Sequence, residues 1–371
     1  MPLEPLALTL ALVHFGVPLA YYWYAKTVWL PKPWNLKLDE AYKPKVTIIL
    51  PTYNEARIIE ERLNNLYEQD YPKELLSIVV VDSASTDGTL ELVEKWVMEH
   101  KDIECKILRE KCRRGMVPAI NYALKTNEFS GDIIVFTDAD ALWPTTALKN
   151  IVKYFADERV GVVTASVTYR KCGKPTTENV YRSYYNRLRV AESKKHSTPI
   201  HNGPLIAFRK DLLYKMGLLP EYTGNDDSTP ASVAAFMGYR AIQIDEVVVE
   251  EYIRKKQFWR KVRRSQHLII HFLKTKKYVK SKNLYKYSKD LEIIWRIEWF
   301  LHIVNPWLLA ASFTLFLLSC MTSLSPFSFG VLSMGTLLLG SKAYRTWILQ
   351  QLCLVIAAIK NLKSIEIAWS K

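Results

Sequence analysis

The chain has 371 residues, 49% of them hydrophobic, and a formal net charge of +14, which suits roughly two domain equivalents at about 150 residues each. Lys and Arg crowd residues 254–286 beside apolar segments, a pattern that fits an anionic lipid surface; a nucleic-acid partner would explain the charge but not the apolar segments. The five cysteines are odd in number and contain no C-x-x-C pair, which argues against a disulfide framework or a cysteine zinc site and fits a reducing cytoplasm.

Residues 6–25 contain no Asp, Glu, Lys or Arg, about the twenty residues a membrane helix needs. Tyr21, Tyr22, Trp23, Tyr24 and Trp29 form an aromatic belt at its far end, and Lys26, Lys32, Lys37, Lys43 and Lys45 follow. The positive-inside rule then puts the N-terminus outside and residue 30 onward in the cytoplasm. A basic n-region and a small-residue cleavage site are both missing, so the segment reads as an anchor rather than a cleaved signal. His14 within it reads as a core or interface histidine.

From residue 45 to about 163, short apolar runs alternate with helical patterns. The runs are 46–50, 76–81, 105–108, 133–136 and 160–164; the helices are 55–69, 89–99, 117–126 and 145–154. Asp87 is a candidate N-cap for the second helix, and Pro144 can start the fourth. Such alternation predicts a mostly parallel sheet covered on both faces. The first, second and fourth runs end in Pro51-Thr52-Tyr53-Asn54-Glu55, Asp82-Ser83 and Asp138-Ala139-Asp140. In a parallel sheet those ends share one edge, where ligands bind. Two carboxylates spaced by two at a strand end are poorly solvated unless a cation arrives, and a divalent metal carrying a phosphorylated substrate fits.

Three segments, 46–55, 79–88 and 133–140, together with Gly224-Asn225-Asp226-Asp227 and the later Gly238-Tyr239-Arg240, resemble the inverting family 2 glycosyltransferases over residues 45–265. The resemblance implies an α/β architecture: a GT-A, Rossmann-like, mostly parallel sheet, here with N-terminal and C-terminal transmembrane helices. It implies that Pro51, Thr52, Tyr53 and Glu55 line a nucleoside pocket and that Asp82 meets the base. Asp138 would face the ribose or a metal-bound water, and Asp140 would bind Mn²⁺ or Mg²⁺. Inverting transfer is one displacement and needs a general base rather than a covalent nucleophile. By resemblance Asp227 is that base, with Asp226 raising its pKa or orienting the acceptor; the pair can also cap the helix that starts at Ser228. His201-Asn202-Gly203 resembles the acceptor-side strand of the family, and His201 is as readily structural as functional.

Two departures bear on the donor and the product. Many members of the family have Gly-Lys where this chain has Gly115-Met116, which leaves Arg113 or Arg114 to reach the diphosphate as a fork donor. Processive synthases carry Gln-x-x-Arg-Trp after the acid–Asp motif, whereas the corresponding window here reads Arg260-Lys261-Val262-Arg263-Arg264. Arg260, Arg263 and Arg264 can grip a diphosphate, but no Trp is present to stack on an acceptor sugar, which points to single-sugar transfer. The segment around Phe258-Trp259 and Leu268-Ile269-Ile270, interleaved with cations including Lys255 and Lys256, reads as a basic amphipathic helix in the membrane interface. Residues 181–195 carry aromatics and positive charge on the acceptor side.

A second span is expected over 301–322. Beyond it, 327–340 is short for a span, and 346–360 reads as interfacial or re-entrant because a third full span would put Lys360, Lys363 and Lys371 outside. The expected organisation is an anchor and linker over 1–44, a catalytic domain over 45–253, a basic interfacial segment over 254–290 and a membrane region over 291–371. The expected partners are a nucleotide sugar, with a UDP-sugar favoured and a GDP-sugar possible, a lipid-linked or glycolipid acceptor, and anionic lipids, with no nucleic acid. The rival readings are a processive polysaccharide synthase, a nucleotidyltransferase, for which the first strand lacks a glycine-rich loop, and a non-catalytic membrane scaffold.

Overall fold

β-Branched runs that sit between two helical layers become fully buried strands. The computed structural model describes residues 3–126, 130–170, 177–252 and 257–365. Its sheet contains β1 (Val46–Thr52), β2 (Leu76–Asp82), β3 (Glu104–Arg109), β4 (Ile133–Phe136), β5 (Ala141–Leu142), β6 (Val160–Tyr169), β7 (Ile206–Arg209) and β8 (Arg240–Glu251). The strand order is β3-β2-β1-β4-β7-β6-β8-β5. β1 pairs parallel with both β2 and β4, and β2 with β3. β7 runs antiparallel between β4 and β6, while β6 and β8 are parallel. The ends of β1, β2 and β4 therefore do share one edge.

Alternate residues of β1 serve opposite layers, as the strand period of two requires. Ile48 and Leu50 pack with Leu63, Leu66 and Trp96 from the helices Ile59–Tyr67 and Thr89–Glu99. Ile49 faces Ile120, Phe208 and Phe236 on the other side, with Ile120 in the helix Met116–Thr126 and Phe236 closing the helix Ser228–Phe236.

The five expected strands form, and β6 runs five residues past its expected end, to Tyr169. The first helix starts later than its pattern, at Ile59, because Asn54 takes a left-handed turn at φ 53°. The second helix is capped by Gly88 at φ 90°, not by Asp87. Asp87 instead accepts hydrogen bonds from the Thr89 and Ala56 backbone N–H groups. The fourth begins at Ala147 rather than at Pro144.

Leu3–Trp29 and Lys289–Ser323 are long and apolar enough to cross a membrane, and only 17% and 33% of their most apolar stretches are buried. Such exposed apolar surface suits lipid. Ser312 Oγ donates to the Ala7 carbonyl at 2.8 Å, which joins the two helices. His14 is a satisfied core histidine: its Nε2 accepts from Trp347 Nε1 at 2.9 Å and its Nδ1 is hydrogen-bonded to the Asn305 carbonyl.

The helix Gln257–Ser281 is amphipathic, but protein rather than lipid covers much of its apolar face. Val262 and Ile269 are buried with Cys353, Leu354 and Ala357, the last three carried by the helix Lys342–Asn361. Trp259 remains 60% exposed. Lys255, Lys256, Cys172 and Lys371 lie outside the described residues; among the described residues Cys105, Cys112 and Cys320 are free thiols.

Candidate active site

Two strand-end loops make the first half of the site. Ser85 Oγ accepts from the Asn54 N–H, and Asn54 Oδ1 accepts from the Thr86 N–H at 2.8 Å, so the loops after β1 and β2 are stitched together. They border a cavity of about 70 Å³ lined by Pro51, Thr52, Tyr53, Glu55, Ser83, Arg113, Asp138 and Asp140. Arg113 stacks over the Tyr53 ring at 4.0 Å, a cation–π pairing of a guanidinium with an aromatic wall. Arg114, a candidate diphosphate contact alongside Arg113, pairs with Glu110 at 2.7 Å with its side chain 54% exposed. Asp82 is buried and accepts from the Ser85 N–H at 3.0 Å, and its neighbour Ser83 lines the cavity.

The turn that carries Asp138 and Asp140 rests on a buried arginine that sequence reasoning missed. Arg62 is fully buried, donates to Asn65 Oδ1 at 2.6 Å and Thr137 Oγ1 at 2.5 Å, and lies 4.5 Å over the Trp143 ring. Burial pulls its pKa down to about 9, with Asp138 and Asp140 opposing the shift, so it remains a cation at neutral pH. Thr137 passes the connection on by donating to the Pro204 carbonyl at 2.7 Å, which also accepts from Trp143 Nε1. The acidic turn and the Asn202–Pro204 stretch thus share one scaffold.

A second cavity, of about 230 Å³, meets the first at Met116 and Asp138. At Gly203 a Cβ would lie 3.4 Å from Asp226 Oδ2, 3.5 Å from Asp227 Oδ2 and 4.0 Å from Asp138 Oδ2. Three carboxylates from two distant loops therefore converge over a residue with no side chain. The other oxygen of Asp227 caps the helix Ser228–Phe236, accepting from the Ser228 N–H and, at 2.8 Å, from Ser228 Oγ. Cap and candidate base coincide, one oxygen for each task. Ser228 Oγ in turn accepts from the His201 N–H at 2.9 Å, which fixes the acceptor-side strand against the acidic loop.

Burial, with Asp140 and Glu251 adding to it, raises the Asp138 carboxyl to about 7. Burial, then Asp227 and Asp138, push Asp226 well above the usual carboxylate range. His201 is buried and held down to about 3, so it is a neutral hydrogen-bonding group tied to Thr164 Oγ1 at 3.0 Å. Arg260, Arg263 and Arg264 line this second cavity, together with Arg182, Arg189 and Glu251, which the sequence did not single out.

Among the described residues no group of three or more His, Cys, Asp or Glu side chains forms a metal cage. The donor set nevertheless fits Mg²⁺ or Mn²⁺, which is held through one or two carboxylates and substrate phosphates rather than by an all-protein cage. Asp138 and Asp140, both lining the first cavity, are the carboxylates that would hold it.

The profile described as Glycosyl transferase family 2 matches residues 47–217. The chain is 43% identical to the mannosyltransferase PcManGT from Pyrobaculum calidifontis, whose structure was solved with GDP-Man and Mn²⁺; the alignment covers 98% of this chain and 100% of that one, with a TM-score of 0.88. It is 29% identical over 180 residues to the glycosyltransferase AglE of Haloferax volcanii, which is 48% of this chain and 57% of that protein. Over 110 residues, 30% of this chain and 33% of the relative, it is 34% identical to the dolichyl N-acetyl-alpha-D-glucosaminyl phosphate 3-beta-D-2,3-diacetamido-2,3-dideoxy-beta-D-glucuronosyltransferase of Methanococcus voltae. The chain therefore spans less than two thirds of either curated relative. The whole-length agreement with a solved mannosyltransferase, together with the profile match and the mixed, mostly parallel α/β sheet, establishes that this chain belongs to the family 2 glycosyltransferases of GT-A fold.

Proposed function

We propose that the protein transfers one sugar, with inversion, from a nucleotide-sugar donor to a lipid-linked acceptor at a membrane, with Mn²⁺ or Mg²⁺ as cofactor. The observation that carries this reading is the meeting of Asp138, Asp226 and Asp227 over Gly203, with Asp138 lining both cavities. The donor occupies the first cavity, with Pro51, Thr52, Tyr53 and Glu55 around the nucleoside and Arg113 near the diphosphate. A divalent metal on Asp140 and Asp138, when bound, supplies Lewis-acid stabilisation of the departing diphosphate. Arg260, Arg263 and Arg264 add positive charge on the same path. The bond from the sugar's anomeric carbon to the diphosphate breaks, the bond to the acceptor oxygen forms, and the acceptor's proton passes to Asp227.

The relative solved with GDP-Man and Mn²⁺ puts a GDP-sugar ahead of the UDP-sugar favoured by the sequence. The two exposed apolar helices support membrane anchoring, and the lysines after residue 25 support a cytoplasmic catalytic domain with the N-terminus outside. The window Arg260-Lys261-Val262-Arg263-Arg264 supports single-sugar transfer over a processive product. Nucleotide release from a panel of GDP- and UDP-sugars, with and without Mn²⁺ and lipid extract, tests the reading. Release from GDP-mannose stimulated by both additions is expected; no release from any donor would favour a scaffold.

A further inference from the structure

We infer that His271 is a positioning residue for the transfer, joining the loop that carries Asp226 and Asp227 to the helix that carries Arg260, Arg263 and Arg264; this rests on the transfer reaction proposed above and adds a residue to it.

Groups that act on one displacement must be held in a fixed relation, and here they stand on two elements. The carboxylates lie in the loop before the helix Ser228–Phe236, whereas the guanidiniums stand on the helix Gln257–Ser281. The charge of Arg264 acts on both Asp138 and Asp226, so a shift of one element against the other changes the field at the site. Arg264 and His271 are seven residues apart, two turns, and share a face of their helix. One end of that face lines the second cavity with Arg264. The other end meets the acidic loop.

The contact is made by one imidazole nitrogen and a set of hydroxyls. His271 Nδ1 is hydrogen-bonded to Thr229 Oγ1 at 3.2 Å and to Thr275 Oγ1 at 3.1 Å, and all three side chains are fully buried. Thr229 Oγ1 is bonded in turn to Thr223 Oγ1 at 3.2 Å. The Tyr222 hydroxyl donates to Thr275 Oγ1 at 3.2 Å. Within the loop, Thr223 Oγ1 accepts from the Asn225 N–H at 3.1 Å, and Asn225 Oδ1 accepts from the Thr229 N–H at 2.9 Å. Residues on both sides of Asp226 and Asp227 are thus tied to a single turn of the helix. Gly224 bends the loop at φ 65°, outside any strand or helix, so side-chain bonds of this kind hold its shape.

The ring is wedged as well as bonded. Its centroid lies 5.2 Å from that of Trp295 and 5.0 Å from that of Phe272. Burial pulls its pKa down to about 3, so it is neutral at physiological pH and adds no charge to the site. His271 lines neither of the two cavities. It acts through the loop and not on substrate.

Nucleotide release from GDP-mannose by the full-length protein, with Mn²⁺ and lipid extract, tests this in a double-mutant cycle with Asp227. H271F keeps an aromatic ring and removes the nitrogen. Misplacing a reacting group by an ångström costs rate steeply, so H271F is expected to lower kcat about 10- to 100-fold. Its affinity for Mn²⁺–GDP, read by calorimetry, is expected to stay unchanged. H271N, whose amide oxygen can take the place of Nδ1, is expected to recover most of the loss. Adding H271F to D227N is expected to cost little more, because the group it positions is already gone. Equal fold-losses in both backgrounds overturn the proposal, as does undiminished turnover in folded H271F or a loss confined to Mn²⁺–GDP binding. Where H271F fails to fold, T275V, which removes the hydroxyl bonded to both His271 and Tyr222, carries the same cycle with the same criteria. Near-normal turnover in D227N alone fails the transfer reading; a collapse in D227N with additive loss in H271F fails only the role of His271.

Discussion

Replacing Asp227 with asparagine is expected to lower kcat by about 10²–10⁴-fold, the usual contribution of a positioned general base, while the protein stays folded. The reason lies in the two oxygens of this side chain. One caps the helix Ser228–Phe236, and asparagine is as good an N-cap as aspartate, so the loop and its bond to Ser228 survive the change. The other lies 3.5 Å from where a Cβ at Gly203 would stand, and a carboxamide there cannot accept the acceptor's proton. Turnover at saturating donor, read beside the thermal melt of the same preparation, separates the two roles. Near-normal turnover in a folded D227N protein would remove Asp227 from the chemistry and leave it a cap.

The second large effect is expected at Arg62, a residue that touches no ligand. R62M removes the donors to Asn65 and Thr137 and leaves Asp138 and Asp140 without the buried cation whose charge acts on both. Removing one partner from a buried charged set costs about 3–5 kcal/mol, so a marked fall in Tm is expected. Mn²⁺ replaces the missing charge in the same turn, so the Tm gain on adding Mn²⁺ is expected to be larger in R62M than in the unaltered protein. Binding to the folded state alone raises stability by mass action, which makes this gain a direct readout. An unchanged melt, or the same Mn²⁺ gain in both proteins, would show that Arg62 does not support the acidic turn.

The contrast between these residues explains what was legible in the sequence. β1, β2 and β4 were readable because buried parallel strands are near-continuous β-branched runs, and their ends then had to share an edge. Asp138, Asp140 and Asp227 were readable as motifs at strand and helix ends. Arg62 was not: it sits among Glu60, Glu61 and Asn65 and looks like a surface residue. Its burial comes from Thr137 and Trp143, more than seventy positions away. That Arg113 and not Arg114 lines the first cavity was likewise not legible from residue type. The amphipathic pattern of Gln257–Ser281 was legible, but periodicity names an apolar face without naming its cover, and here Cys353, Leu354 and Ala357 provide it. Arg182 and Arg189 carried no motif; only the fold places both on Asn202.

In the proposed reaction donor and acceptor meet across Asp138, Gly203 and Asp227 in a single displacement. The anomeric configuration of the sugar in the product, read by NMR after reaction with an α-linked donor such as GDP-α-mannose, tests that claim. A β-linked product is expected, since the acceptor attacks opposite the departing diphosphate; an α-linked product would contradict the assignment of Asp227 and the single-displacement geometry together.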